Sequence, residues 1–147
     1  MRRSQRLQPI LKIAALEADK AARAMAYMEQ KLTAETDKQN LLHQHLQEYR
    51  QQLQDDGRAG INAQSLRMNQ QFLANIEQAI KQQKRQIELV GQQLQQVRQI
   101  WQQRDIRRQS LEKMIEKLHR QEKQLQERME QKAQDEQTQN LRFYRKS

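Results

Sequence analysis

Cysteine is absent from this 147-residue chain. That excludes a disulfide framework, a thiol nucleophile and a thiolate metal site. Proline occurs once and glycine three times, too few breakers for a chain of many short elements. Aromatic residues make up 4%, which argues against a wide enzyme-like core and against stacking platforms for single-stranded nucleic acid. No apolar run approaches the roughly 20 residues of a membrane span. The start, with Arg2, Arg3 and Arg6, lacks the apolar stretch and small-residue cleavage site of a signal peptide. A soluble, cytoplasmic protein is expected.

What fills the chain instead is Gln, Glu, Lys, Arg and Leu, with glutamine alone about a fifth of the residues. These are residues of long helices with a narrow apolar stripe. The glutamines fall between regularly spaced apolar positions and form no uninterrupted run, unlike an aggregating low-complexity tract. The formal charge is +9 and the sequence pI about 10.1. A basic surface of this kind suits nucleic acid, anionic lipid or an acidic protein.

The stretch from Ile61 to Leu141 carries the dominant pattern. Alternating steps of four and three lead from Asn69 through Leu73, Ile76, Ile80, Gln83, Ile87, Val90, Leu94, Val97 and Trp101. The same steps continue through Arg104, Arg108, Leu111, Ile115, Leu118, Glu122, Leu125 and Met129. This is a coiled-coil seam, sustained well past the three or four heptads that make the pattern reliable. A second seam precedes it: Leu11, Ala14, Ala18, Ala21, Met25, Met28, Leu32, Glu35, Gln39, Leu42, Leu46, Tyr49 and Leu53. Its alanine-rich half lets a partner helix approach closely, while the polar Glu35 and Gln39 can fix register.

The expected architecture is all-α, a single coiled-coil domain over 1–147. Helix 1 spans about 9–55, with Pro9 in its first turn. The loop is about 56–61, where Gly57 takes the left-handed conformation that closes a helix. Helix 2 spans about 62–140 with Asn62 as its N-cap. Residues 141–147 form a mobile basic and aromatic tail. Helices joined by so short a loop lie antiparallel. Folding at about residue 58 brings Leu53 toward Ser65 and Leu66, Leu46 toward Phe72 and Leu73, Met25 toward Val90 to Leu94, and Leu11 toward about Ile106. Helix 2 is the longer, so its last roughly 30 residues overhang by about 45 Å. On this count Leu111, Ile115, Leu118, Leu125 and Met129 have no partner within the chain, and need one outside it.

Few residues suggest chemistry. His43 and His45 are two apart on one helix and face apart, His119 stands alone, and no Gly-rich phosphate loop or nucleophile elbow occurs. Solvated histidines are the simpler reading; no enzyme activity, metal or cofactor is expected. Arg104 and Arg108 hold seam positions, and fold-back places Arg2, Arg3, Arg6 and Lys12 nearby. They read either as a solubilising surface or as an electrostatic collar at the base of the overhang. Toward the loop, Phe72, Ile76 and Ala79 form a strip beside the seam that either broadens local packing or faces a partner.

With these features in place, the chain resembles the FliJ family of flagellar export proteins. The resemblance rests on nearly the whole length, on Glu48-Tyr49-Arg50, on Asn69-Gln70-Gln71-Phe72-Leu73, on Ile76-Glu77 with Ala79-Ile80, and on Val97 with Trp101. The chain departs from the pattern at Asn69 or Gln70, where relatives often carry Tyr. The resemblance implies an antiparallel coiled coil like the shaft subunit of rotary ATP synthases. It implies a central stalk that promotes assembly and activity of the hexameric flagellar export ATPase. It also implies links to the export-gate membrane protein, escort of export chaperones, and a cytoplasmic place at the inner membrane of the flagellar base. Residues assigned on this basis to the ATPase are Arg104, Arg108, Leu111, Ile115, Leu118 and Leu125; to the gate, Phe72, Ile76 and Ala79. Competing readings are the equivalent stalk of a virulence secretion system, a structural coiled-coil dimer, and a basic nucleic-acid-associated rod. Nucleic acid is not expected, because no recognised nucleic-acid fold accompanies the charge.

Overall fold

A computed structural model describes residues 2–146. It consists of α1 (Arg3–Ala59) and α2 (Ala63–Lys146), with no strand among the described residues. The protein is an all-α helical hairpin whose second helix is the longer. The helices contribute to two compact units: 1–20 with 102–147, and 21–101.

In the unit formed by 21–101 the helices pair as the heptads require. Ala21, Leu46, Val90 and Leu94 are buried. Met25, Met28, Leu32, Leu42, Leu73, Ile76, Ile80, Ile87 and Val97 are half-buried along the same two stripes. The Tyr49 hydroxyl donates to Asn69 Oδ1 at 2.8 Å, and the Gln83 amide reaches Glu35. Both contacts agree with the antiparallel fold-back count. Ion pairs across the helices, such as Arg50 with Glu77 at 3.3 Å, join exposed groups and add little stability.

The connection is shorter than the sequence reading has it. Helix α1 continues through Asp55, Asp56 and Gly57 to Ala59. It is Gly60, not Gly57, that turns left-handed, with φ of 85°. Arg58 in the last turn complements the negative end of the helix, which favours carrying the helix past the two aspartates. Asn62 does cap α2: its Oδ1 accepts the Ser65 N–H at 2.8 Å.

In the unit formed by 1–20 and 102–147, α1 begins at Arg3, well before Pro9. Pro9 therefore sits in the helix interior. The earlier start has a cause in α2. The Glu122 carboxylate accepts the Ser4 N–H at 3.0 Å and the Ser4 hydroxyl at 2.5 Å, so a side chain of α2 caps the start of α1. Ser4 is buried, as are Ala14, Ala18 and Ile115.

That cap also corrects the register expected at this end. Leu11 shares a groove with Ile115, not with Ile106, which is exposed. Pairing extends to Arg2, whose guanidinium donates to Gln126 Oε1 at 2.6 Å. The overhang is correspondingly shorter than expected. It comprises 127–146, about 30 Å at the helical rise. From Lys123 to Arg145 every side chain is exposed. The stretch expected as a mobile tail is helical through Lys146.

Candidate functional site

Two surfaces are built from the residues that the sequence singles out, one in each unit. In the unit of 21–101, Phe72, Ile76 and Ala79 recur along α2 at steps of four and three, which holds them on one strip. Phe72 is 50% exposed, while Ile76 and Ala79 are half-buried. The strip has a second wall that sequence reasoning missed. Tyr49 of α1 packs against Phe72, with ring centroids 4.6 Å apart and the rings tilted by 58°. Leu42, His45, Glu48 and Gln52 of α1 complete a groove of about 420 Å³ with Phe72 and Ile76. The signal was present in part. Tyr49 occupies a seam position, and the fold-back count brings Leu46, one step earlier on that seam, toward Phe72.

Between the strip and the middle of that unit, a polar layer interrupts the seam. Gln83 Nε2 donates to the Glu35 backbone carbonyl at 2.8 Å and to Glu35 Oε2 at 2.6 Å. Lys38 Nζ lies 3.4 Å from the other carboxylate oxygen. The Gln83 amide, with help from Lys38, holds the Glu35 carboxyl below the usual carboxylate range. Among the described residues no buried side-chain nitrogen or oxygen lacks a partner, so the layer is a satisfied one.

In the unit of 1–20 and 102–147, the six residues nominated for an ATPase separate into three environments. Ile115 is buried and Leu111 and Leu118 are half-buried, so these three belong to the paired seam. Leu125 is 59% exposed, beyond the cover of α1. Arg104 leaves the seam and donates to Glu17 Oε2 at 2.9 Å. Its neighbour Asp105 is half-buried in its place. Arg108 stays half-buried because its charge is met locally. Its Nη2 lies 2.7 Å from Asp105 Oδ1 and its Nη1 2.7 Å from Glu112 Oε1. Those two carboxylates push the Arg108 guanidinium above its usual value.

The Ser4 hydroxyl and amide hold the Glu122 carboxyl below the ordinary range. This unit carries 17 Lys and Arg against 10 Asp and Glu; the other carries 10 against 8. Most of the excess positive charge therefore lies in this unit, and within it in the paired part, since 127–146 carries five Lys and Arg against four Asp and Glu. Among the described residues no group of three or more His, Cys, Asp or Glu could hold a metal ion. None of their helices is long and apolar enough to cross a membrane.

Two long helices that pair along heptad seams define a coiled-coil hairpin protein. The chain belongs to the FliJ family: it matches the flagellar FliJ protein over residues 3–147. No curated protein and no solved structure matches it. Family membership gives the chain a role in flagellar protein export.

Proposed function

We propose that this chain is the central stalk of the hexameric flagellar export ATPase, that it promotes the enzyme's assembly and activity, and that it links the enzyme to the export gate. It also escorts export chaperones, and it works in the cytoplasm, peripherally attached to the inner membrane at the flagellar base. The observation that carries this reading is the overhang. Helix α2 runs on from Glu127 with every side chain through Arg145 exposed, in the unit that holds most of the excess positive charge. A single helix without a partner is marginal alone, so this stretch suits burial inside a protein ring.

The test is ATP hydrolysis by the cognate ATPase, titrated with this protein. Stimulation should saturate near one chain per hexamer. Substituting Ile115 with a charge would damage the protein's own core, so the informative variant is Leu125→Asp with Met129→Asp, both at exposed positions. It should weaken stimulation by about tenfold at subsaturating ratios, the loss of a contact centre. Unchanged stimulation would sink the stalk assignment.

The strip of Phe72, Ile76 and Ala79, with Tyr49 beside it, is assigned to the gate protein. An aromatic pair at the mouth of an apolar groove is a common anchor for a partner side chain. Phe72→Ala with Ile76→Ala should lower affinity for the gate's cytoplasmic part about tenfold or more, as read by titration calorimetry. Undiminished binding counts against the assignment.

A further inference from the structure

The first turn and a half of α1 is attached to the rest of the helix through a weak point. Pro9 has no N–H, so the Gln5 carbonyl loses its donor four residues on, and the pyrrolidine ring crowds that carbonyl. Residues 3–8 are also too few to be a stable helix by themselves. They are held from outside. Glu122 accepts both the amide and the hydroxyl of Ser4, and Arg2 donates to Gln126. The Gln5 side chain accepts the Arg2 N–H at 3.3 Å, a local contact that closes the helix start without anchoring it to α2.

What this segment covers is apolar. Ser4 and Gln8 border the same groove as Ile115. The register set by Ser4 and Glu122 puts Leu7 opposite about Leu118, since antiparallel partners step in opposite directions. Both leucines are half-buried. Beyond Glu122, Arg2 reaches Gln126, and the side chains of α2 from Lys123 to Arg145 are exposed. Residues 2–8 are therefore the last cover on the seam at Ile115 and Leu118, tied down by the two Ser4 bonds to Glu122 and by Arg2 at Gln126.

We propose that residues 2–8 form a displaceable cover over this seam, hinged at Pro9 and latched by Ser4 to Glu122. The occupant that replaces the cover is an amphipathic helix of a partner protein, presenting its N-terminal N–H groups to Glu122 and an apolar face to Ile115 and Leu118. A carboxylate set at a helix start is chemically suited to that role. This rests on the stalk reading, in which the partner helix belongs to the ATPase; displacement would then couple ring binding to release of the N-terminal segment.

The test uses the natural lack of cysteine. Ile115→Cys introduces one thiol, and its rate of maleimide labelling in the full chain reports opening. Met129→Cys gives the rate for an exposed position. The Ile115 thiol should react about a hundredfold more slowly than the Met129 thiol. Adding Ser4→Ala or Glu122→Ala should speed it about tenfold or more, the loss of hydrogen bonds to a charged group. Adding Pro9→Ala should slow it, because the hinge then becomes ordinary helix. Equal labelling of the two thiols, or no acceleration by either latch variant, overturns the cover. Labelling needs no ATPase, so the two ideas separate. Ser4→Ala with Ile115 intact should bind the ATPase more tightly if the seam is its contact. Faster labelling without tighter binding upholds the cover and removes the ATPase as the occupant.

Discussion

Val90→Asp is expected to abolish cooperative melting of the unit formed by 21–101, or to lower its Tm by about 10 °C or more. Val90 is fully buried. Losing its burial costs about 1.5–3 kcal/mol. The carboxylate must then either sit uncompensated in the seam or take up a proton, and either adds several kcal/mol, about 2 at the least. The unit has little to set against this. Its buried apolar side chains are Ala21, Leu46, Val90 and Leu94, and a domain's whole margin is only about 5–15 kcal/mol. The paired control is Leu89→Asp. Leu89 is the adjacent residue, larger and equally apolar, yet 49% exposed; its change should stay within about 0.5 kcal/mol. Thermal and urea melts followed by far-ultraviolet circular dichroism decide the matter. Similar melts for the two variants would mean that the heptad phase is not what holds the helices together.

The contrast between Leu89 and Val90 also shows what was legible in the sequence. Composition does not separate these neighbours, but the four-and-three spacing does. A heptad is a local period, so it can be read without knowing the partner. Every seam position named from Leu11 to Leu53 is buried or half-buried, as are those from Asn69 to Trp101. The period fails where charge decides. Arg104 fits the spacing, but it finds Glu17 off the seam, and Asp105 is the half-buried residue beside Arg108. Contacts between residues remote in sequence were also illegible. Ser4 and Glu122 are 118 positions apart, and without that cap Pro9 looks like the natural start of α1. The same distance explains the overhang: Ile115 and Leu118 lack partners in the sequence reading because it sets Leu11 at Ile106, whereas the Ser4 cap shifts the register and brings Leu11 to Ile115. At the candidate sites, Phe72, Ile76 and Ala79 could be read as a strip because they lie on one helix. Tyr49, which completes the groove, lies on the other.

The polar layer at Glu35 and Gln83 calls for the opposite experiment to Val90, one in which charge is removed from the seam. Gln83→Leu leaves the Glu35 carboxylate in the seam with only Lys38, at 3.4 Å and largely solvent-exposed. The expected result is a fall in Tm on the order of 5 °C. Glu35→Leu should be milder, since the Gln83 amide keeps the Glu35 backbone carbonyl as acceptor. The double variant, Leu facing Leu, should melt above the natural protein, because a well-packed apolar pair replaces desolvated polar groups. It should also lose the natural protein's acid sensitivity at this layer. The Glu35 carboxyl is held below its ordinary range, so its contribution is complete above that range and is lost as the pH falls through its depressed folded value. The gain in stability has a cost in uniqueness. A seam without this polar pair more readily accepts slipped registers and exchanged helices that the buried pair disfavours. Light scattering on the double variant should therefore reveal species absent from the natural protein, despite the higher Tm. A variant that melts higher and keeps the natural mass distribution would show that the loop at Gly60 and the latch at Glu122 fix the register without Glu35. A variant that melts lower would show that the polar layer stabilises this hairpin outright.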